Sequence, residues 1–234
     1  MDVAISGDRS SCLTQEFSCG AYLFAVAHGF GRLGGEPVAP VVLARLRQEF
    51  ERRARGNALL RAQARPKGVS ALFGAVLNNV NDHVRARSAS HDDYITAGCS
   101  ITAALVLGDR AYLSHVGSTA AYLARDGYVV ALTKHDAFES EGVPVLTRAL
   151  GTDSTLDAAY CTFSLTEGDS LVLSGRRLSA AQIHTASAQE QILVVRYAPE
   201  PPKPPVPADA PQFMRRAVTA AAATVLFYTL LCLQ

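Results

Sequence analysis

Residues 97–132 read AGCSITAALVLGDRAYLSHVGSTAAYLARDGYVVAL, and the fold is decided there. Residues 99–107 are an apolar run with β-branched members. Gly108 and Asp109 then supply a tight turn into a second apolar run at 111–116. A third strand is expected at 120–124, and Asp126-Gly127 turns it into a fourth at 128–132. Short strands joined by such turns predict an antiparallel meander.

Toward the N-terminus, residues 3–5 predict a short strand, and residues 21–27 a strand buried on both faces because they are apolar throughout. Glycines 29, 31, 34 and 35 then form a loop. A helix is expected to start near Glu36-Pro37, where an acid and a proline suit a first turn. Val38, Val42, Leu46 and Phe50 give it one apolar face, while Arg45, Arg52, Arg53 and Arg55 read as a solvated face. Residues 56–67 hold a turn, and a second helix over 69–87 buries Leu72, Val76, Val80 and Val84. Toward the C-terminus, 145–150 and 158–165 are further elements, and 170–173 is a buried strand. A short helix at 180–185 and a closing strand at 191–197 complete the series. Helices followed by a many-stranded antiparallel region predict an α+β layering.

The chain has 234 residues, 49% hydrophobic and 18% charged, with a formal charge of +1. That suits one domain with a real core plus an appendage, and no long basic run points to nucleic acid. Cys12, Cys19, Cys99, Cys161 and Cys232 are scattered and lack a C-x-x-C, so reduced thiols are expected rather than a disulfide frame or zinc site. The N-terminus shows no secretory pattern. From Pro199 the sequence PEPPKPPVPADAPQ predicts a semi-rigid spacer. Arg215 and Arg216 precede an uncharged run, 217–234, whose helix would be about 27 Å long, near the thickness of a hydrocarbon core. A C-terminal helix docked on the core is the other reading. Length, flanking charge and the spacer favour a membrane anchor with the domain facing the cytoplasm. The expected organisation is therefore a domain at 1–198, a linker at 199–214 and an anchor at 215–234.

The run GCSITAALVLGDRAYLSHVGSTAAYLARDG, with ALT after it, resembles the centre of the PPM (PP2C-type) metal-dependent Ser/Thr protein phosphatases, which read GTT…ALI.GD.LYVANVGDSRAYL.RDG…LT. The likeness extends over about residues 9–197. It implies a PP2C-like four-layer αββα sandwich: two packed antiparallel sheets flanked by helices. It also implies a chemistry in which aspartates hold two Mg²⁺ or Mn²⁺ ions that activate a water against a phosphoserine or phosphothreonine.

Each motif of that family keeps its frame here and changes its acid. The R-x-x-N-E-D motif aligns with Arg9 through Thr14 and retains only Arg9, the family's phosphate clamp; Glu16 is out of register. In place of D-G-M-G-G stands His28-Gly29-Phe30-Gly31-Arg32, and in place of V-G-D-S-R-A-Y stands Val116-Gly117-Ser118-Thr119-Ala120-Ala121-Tyr122. The S-D-G-L aspartate aligns with Arg176, which cannot ligate a metal. The last motif falls near Glu190. The family's flap, between L-T-x-D-H-S and I-T-R-A-L-G, is nearly deleted between Leu132 and Thr147.

The degenerate pocket positions are thus His28, Ser118 and Arg176, with no intact catalytic set, no metal ligands and no metal cofactor expected. The leading expectation is an inactive, membrane-tethered pseudophosphatase that binds a protein in a Ser/Thr kinase pathway. The alternative is an active metal-dependent phosphatase whose site is rebuilt from Asp92, Asp93, Asp109, Asp136 or Glu190, residues otherwise read as surface loop and turn acids. A third reading makes Arg9, Arg32 and Arg176 a phosphate reader without metal, since guanidiniums bind phosphate bidentately. His115 is expected to be structural.

Overall fold

The decisive segment folds as two hairpins in two different sheets, not as the single meander its turns predict. The computed structural model describes residues 1–56, 58–65, 67–89, 97–140, 143–185 and 192–198. In chain order these form β1 (Asp2–Ser6), a 3-10 turn (Arg9–Ser11), β2 (Cys12–Glu16), β3 (Ala21–Phe30), β4 (Arg32–Leu33) and β5 (Glu36–Pro37). Three helices follow: α1 (Val38–Arg55), α2 (Ala58–Gln63) and α3 (Gly68–Ala89). Then come β6 (Gly98–Leu107), β7 (Arg110–Val116), β8 (Ala120–Arg125), β9 (Tyr128–Ala131), β10 (Ala137–Ser140) and β11 (Val143–Leu146). The series closes with β12 (Ala159–Ser164), β13 (Ser170–Ser174), α4 (Ala180–Thr185) and β14 (Ile192–Arg196).

One antiparallel sheet runs β12-β7-β6-β3-β2 and the other β1-β14-β13-β8-β9. β6 pairs with β7 and β8 with β9, but β7 and β8 lie in different sheets, so residues 117–119 carry the chain across. The strand period of two sorts the side chains. Ala21, Leu23, Ala25 and Ala27 of β3 face the helices and pack with Val42, Leu46, Phe50, Phe73, Val76 and Val80. Phe24 and Val26 face the other way and meet Ala121, Leu171, Leu173, Leu193 and Val195 between the sheets. The Phe50 and Phe73 rings meet edge-on at 5.2 Å, which fixes how α1 and α3 approach each other.

α1 ends as its composition requires: Arg52, Arg53 and Arg55 occupy its last turn, where cations suit the helix dipole, and Gly56 caps it. The expected apolar face is buried in full, and α3 buries Val69, Phe73, Val76, Leu77, Val80 and Val84 while Leu72 is half-buried. β2 escapes the sequence reading, as does α2, which lies inside the span taken as a turn.

The fourth layer is thin. Among the described residues, the outer face of the β1-β14-β13-β8-β9 sheet carries only α4, whose Ile183 packs with Tyr122, Val172 and Ile192. A hydrogen-bond pair between Tyr122 and the backbone of Leu178 holds the approach to α4 against β8.

Met1–Pro199 is one compact unit whose cores are closed by its own side chains. No described helix is long and apolar enough to cross a membrane. The expected spacer and membrane anchor, along with Cys232, lie outside the described residues.

Candidate functional site

His28 lies on the inter-sheet side of β3, two residues past Val26, where the seam between the sheets opens to solvent. Its cross-strand partner is Ser100 of β6, so the two side chains lie on the same face. Ser100 in turn holds the crossover. Its hydroxyl accepts from the Ser118 amide at 3.0 Å and lies 3.2 Å from the Ser118 hydroxyl. Gly117 makes this possible: its φ is +97°, and a Cβ there would sit 2.2 Å from Ser100 Oγ. His28, Ser100 and Ser118 therefore form one group.

The other sheet brings its own residue to this end. β13 pairs with β8 as far as Ser174 opposite Ala120. Arg176 follows Ser174 by two residues and Ser118 precedes Ala120 by two, so continuation of the register sets them at the same end of the seam. Arg176 is exposed. Arg9 sits in the exposed turn that leads into β2, whose first residue pairs with Val26, again at the His28 end. Arg32 is engaged elsewhere: its guanidinium donates to the Gly35 carbonyl at 2.6 Å and closes the β4–β5 hairpin.

Behind this rim lies a buried polar network that sequence reasoning did not assemble. His115, 1% exposed, faces the inter-sheet side of β7. Its Nε2 lies 3.0 Å from the Lys134 carbonyl, which can only accept, so Nε2 carries the proton. Nδ1 then accepts from the Thr102 hydroxyl at 2.9 Å, and Thr102 accepts from Thr119 at 2.8 Å. Burial pushes the His115 pKa down, opposed by the nearby Asp136 charge, which agrees with a neutral ring.

Asp136 corrects its reading as a surface acid, for it is 7% exposed. One carboxylate oxygen accepts from the Gly117 amide at 3.0 Å and the other from Arg148. Arg148 also donates to the Asp157 carboxylate at 2.9 Å, and these acids raise its pKa, the hydrogen bond it donates to Asp136 foremost. The segment carrying Arg148 is placed by a bridge between Leu150 and Cys99 and by the buried Asn81, which accepts from the Gly151 amide. Where the flap is expected to be nearly deleted, a short β10–β11 hairpin stands. Asp109 is an exposed turn residue, as expected. Asp92, Asp93 and Glu190 lie outside the described residues. Cys99 faces the helices and burial pushes its thiol pKa up, so it is no nucleophile.

Chemically, the seam end offers an imidazole, two hydroxyls, surrounding guanidiniums and a carboxylate already committed to Arg148. Among the described residues no group of three or more His, Cys, Asp or Glu is arranged to hold a metal. These donors do not fit a two-metal centre, which needs several unpaired carboxylates, and no step is derived through one.

No family model matches the chain. The serine/threonine protein phosphatase PstP of Mycobacterium tuberculosis is 31% identical over 120 residues, 51% of this chain and 21% of that protein, so the match spans about a fifth of the relative's length. Among solved structures, the Staphylococcus aureus serine/threonine phosphatase Stp1 superposes with a TM-score of 0.64 at 12% identity, over 84% of this chain and 94% of that one. The S. agalactiae serine/threonine phosphatase gives 0.60 at 14%, over 82% and 97%. The solved M. tuberculosis PstP chain gives 0.59 at 21%, over 82% and 96%. These solved chains are almost wholly covered by this one.

The expectation that no metal cofactor is needed is overturned by these relatives, which are phosphatases of the type that uses Mg²⁺ or Mn²⁺. Two sheets with this strand pairing and the flanking helices give the chain the fold of the PP2C-type phosphatases, and the likeness to PstP supports its reading as a PPM (PP2C-type) phosphatase family member.

Proposed function

We propose that this chain is a PPM-type phosphatase-domain protein that has lost turnover and acts by binding a protein in Ser/Thr phospho-signalling. One observation carries the reading. The glycine-framed crossover at 117–119 is kept, yet the groups it presents are hydroxyls, and the nearest carboxylate, Asp136, is tied to Arg148 and the Gly117 amide. A frame held in place without reactive carboxylates suits recognition rather than in-line displacement. Exposed apolar side chains support the binding role: Tyr128 and Val130 of β9 are 77% and 58% exposed, and Phe138 of β10 is 54% exposed. Tethering by residues 217–234 is part of the proposal, with the domain in the cytoplasm, on the length and flanking arginines of that run.

The second reading, a retained metal-dependent Ser/Thr phosphatase, is favoured by the activity of the relatives. One assay separates the two. The 1–198 span is incubated with phosphothreonine peptides and p-nitrophenyl phosphate, with Mg²⁺ and with Mn²⁺. Turnover at background supports the binding role, and metal-stimulated turnover establishes the enzyme.

A further inference from the structure

On the outer face of the β1-β14-β13-β8-β9 sheet, away from the seam, the thin fourth layer leaves a cavity of about 320 Å³. Two kinds of wall meet in it. Val129, Leu178 and Ile183 make one side apolar, and Lys134, His135 and Arg177 make the other cationic or polar. No carboxylate lines it among the described residues. His135 is one of the lining residues, and its Nε2 is buried without a hydrogen-bond partner among the described residues. A buried polar nitrogen in that state costs stability unless something fills the space beside it. Burial and the Arg177 charge both lower the His135 pKa, against the opposing Asp136 charge, as expected of an imidazole that shares its cavity with a cation.

We propose that this cavity binds a small organic anion, a carboxylate or phosphate monoester on a short aliphatic body. The head group sits between Lys134 and Arg177 and engages His135 Nε2, and the aliphatic part lies against Val129 and Ile183. Such a ligand satisfies the orphaned nitrogen, offsets the charge of the two lining cations and covers the apolar wall at once. The assignment is independent of whether the seam end turns over substrate, because it uses the opposite face of the sheet.

The test is an NMR titration of the 1–198 span with butyl phosphate, pentanoate and inorganic phosphate, following the His135 ring resonances. The expected result is a saturable His135 shift with butyl phosphate or pentanoate, the tighter of the two identifying the head group. Inorganic phosphate should bind at least about tenfold more weakly than butyl phosphate, because it buries no methylenes. Arg177→Ala, a change at an exposed residue, should weaken binding at least about tenfold, with the buried His115 resonance unmoved as the control for folding. Absence of a saturable shift up to about 10 mM, well past ordinary weak affinity, overturns the proposal. So does an aliphatic chain that adds nothing, or an Arg177→Ala variant that binds as well as the parent.

Discussion

Glu49 offers a quantitative handle on the helical layer, and Glu49→Gln is the change that isolates it. The carboxylate is 4% exposed and is met by Arg45 at 2.9 Å, by Arg52 at 2.7 Å and by Arg53. Burial alone would raise its pKa; hydrogen bonds from Arg52, Arg53 and Asn79 override that and hold it at about 2 against an ordinary 4.5. A depression of that size corresponds to on the order of 3 kcal/mol of pH-linked stability. Solvent screens part of it, because the Arg52 side chain is 65% exposed and Arg45 35%, with only Arg53 well covered at 16%. An effect of about 2 kcal/mol at neutral pH is therefore expected. A depressed carboxylate contributes fully above its unfolded-state pKa and loses that contribution as pH falls toward its folded-state value. The gap between parent and Glu49→Gln should thus shrink by roughly half from about pH 5 to about pH 3. Urea unfolding of the 1–198 span, read by far-UV circular dichroism at both pH values, measures it. Comparison with the variant cancels the other carboxylates, including Asp169, whose pKa its Arg125 partner also lowers. Equal midpoints at neutral pH, or a gap that does not change with pH, would refute the reasoning.

Gly117→Ala should cost about 2 kcal/mol or more, since a side chain is forced into the left-handed region against Ser100 Oγ; a melting temperature equal to the parent's would show that the crossover is slack. Asp136→Ala removes the acceptor of the Gly117 amide, so hydrogen exchange at that amide should quicken by about tenfold or more, and unchanged exchange would mean that Ser100 alone holds the turn. His115 should titrate below the ordinary histidine value, so its neutral form supports the fold above that range and protonation weakens it as pH falls; nitrogen-15 spectra showing the proton on Nδ1 at neutral pH would sink the hydrogen-bond assignment. Deleting residues 217–234 should move the protein from the membrane to the soluble fraction of lysed cells, and a full-length chain already soluble there would end the tether proposal.

Most strands could be read from the chain because their signals are local. Gly108 and Asp126-Gly127 mark tight turns by chemistry alone, and α1 shows its apolar face at four-residue spacing. What alternation cannot report is the sheet to which a strand belongs. RAYLSHV of β7 and AAYLAR of β8 are alike in character, yet they lie in different sheets. The link between them did hold a clue: Gly-Ser-Thr at 117–119 is not a two-residue hairpin turn, and it is the one link in 97–132 that changes sheets. α2 is six residues long and sits in a basic stretch, too short for its periodicity to register. At the site, the positions of His28 and Ser118 followed from motif frames, but the burial of Asp136 depends on Arg148, a partner brought near by folding. Neither residue alone distinguishes a loop acid from a buried one.

The order β1-β14-β13-β8-β9 also governs how the domain can be made. Among the described residues the domain's first strand has its last as sole neighbour, with Asp2 opposite Arg196. On the ribosome β1 must therefore wait, unpaired, until residue 196 has cleared the exit tunnel, so this sheet is completed only at the end of translation of the domain. A stalled or truncated chain lacking β14 would leave both β1 and β13 with open edges, a form suited to capture by chaperones or to aggregation.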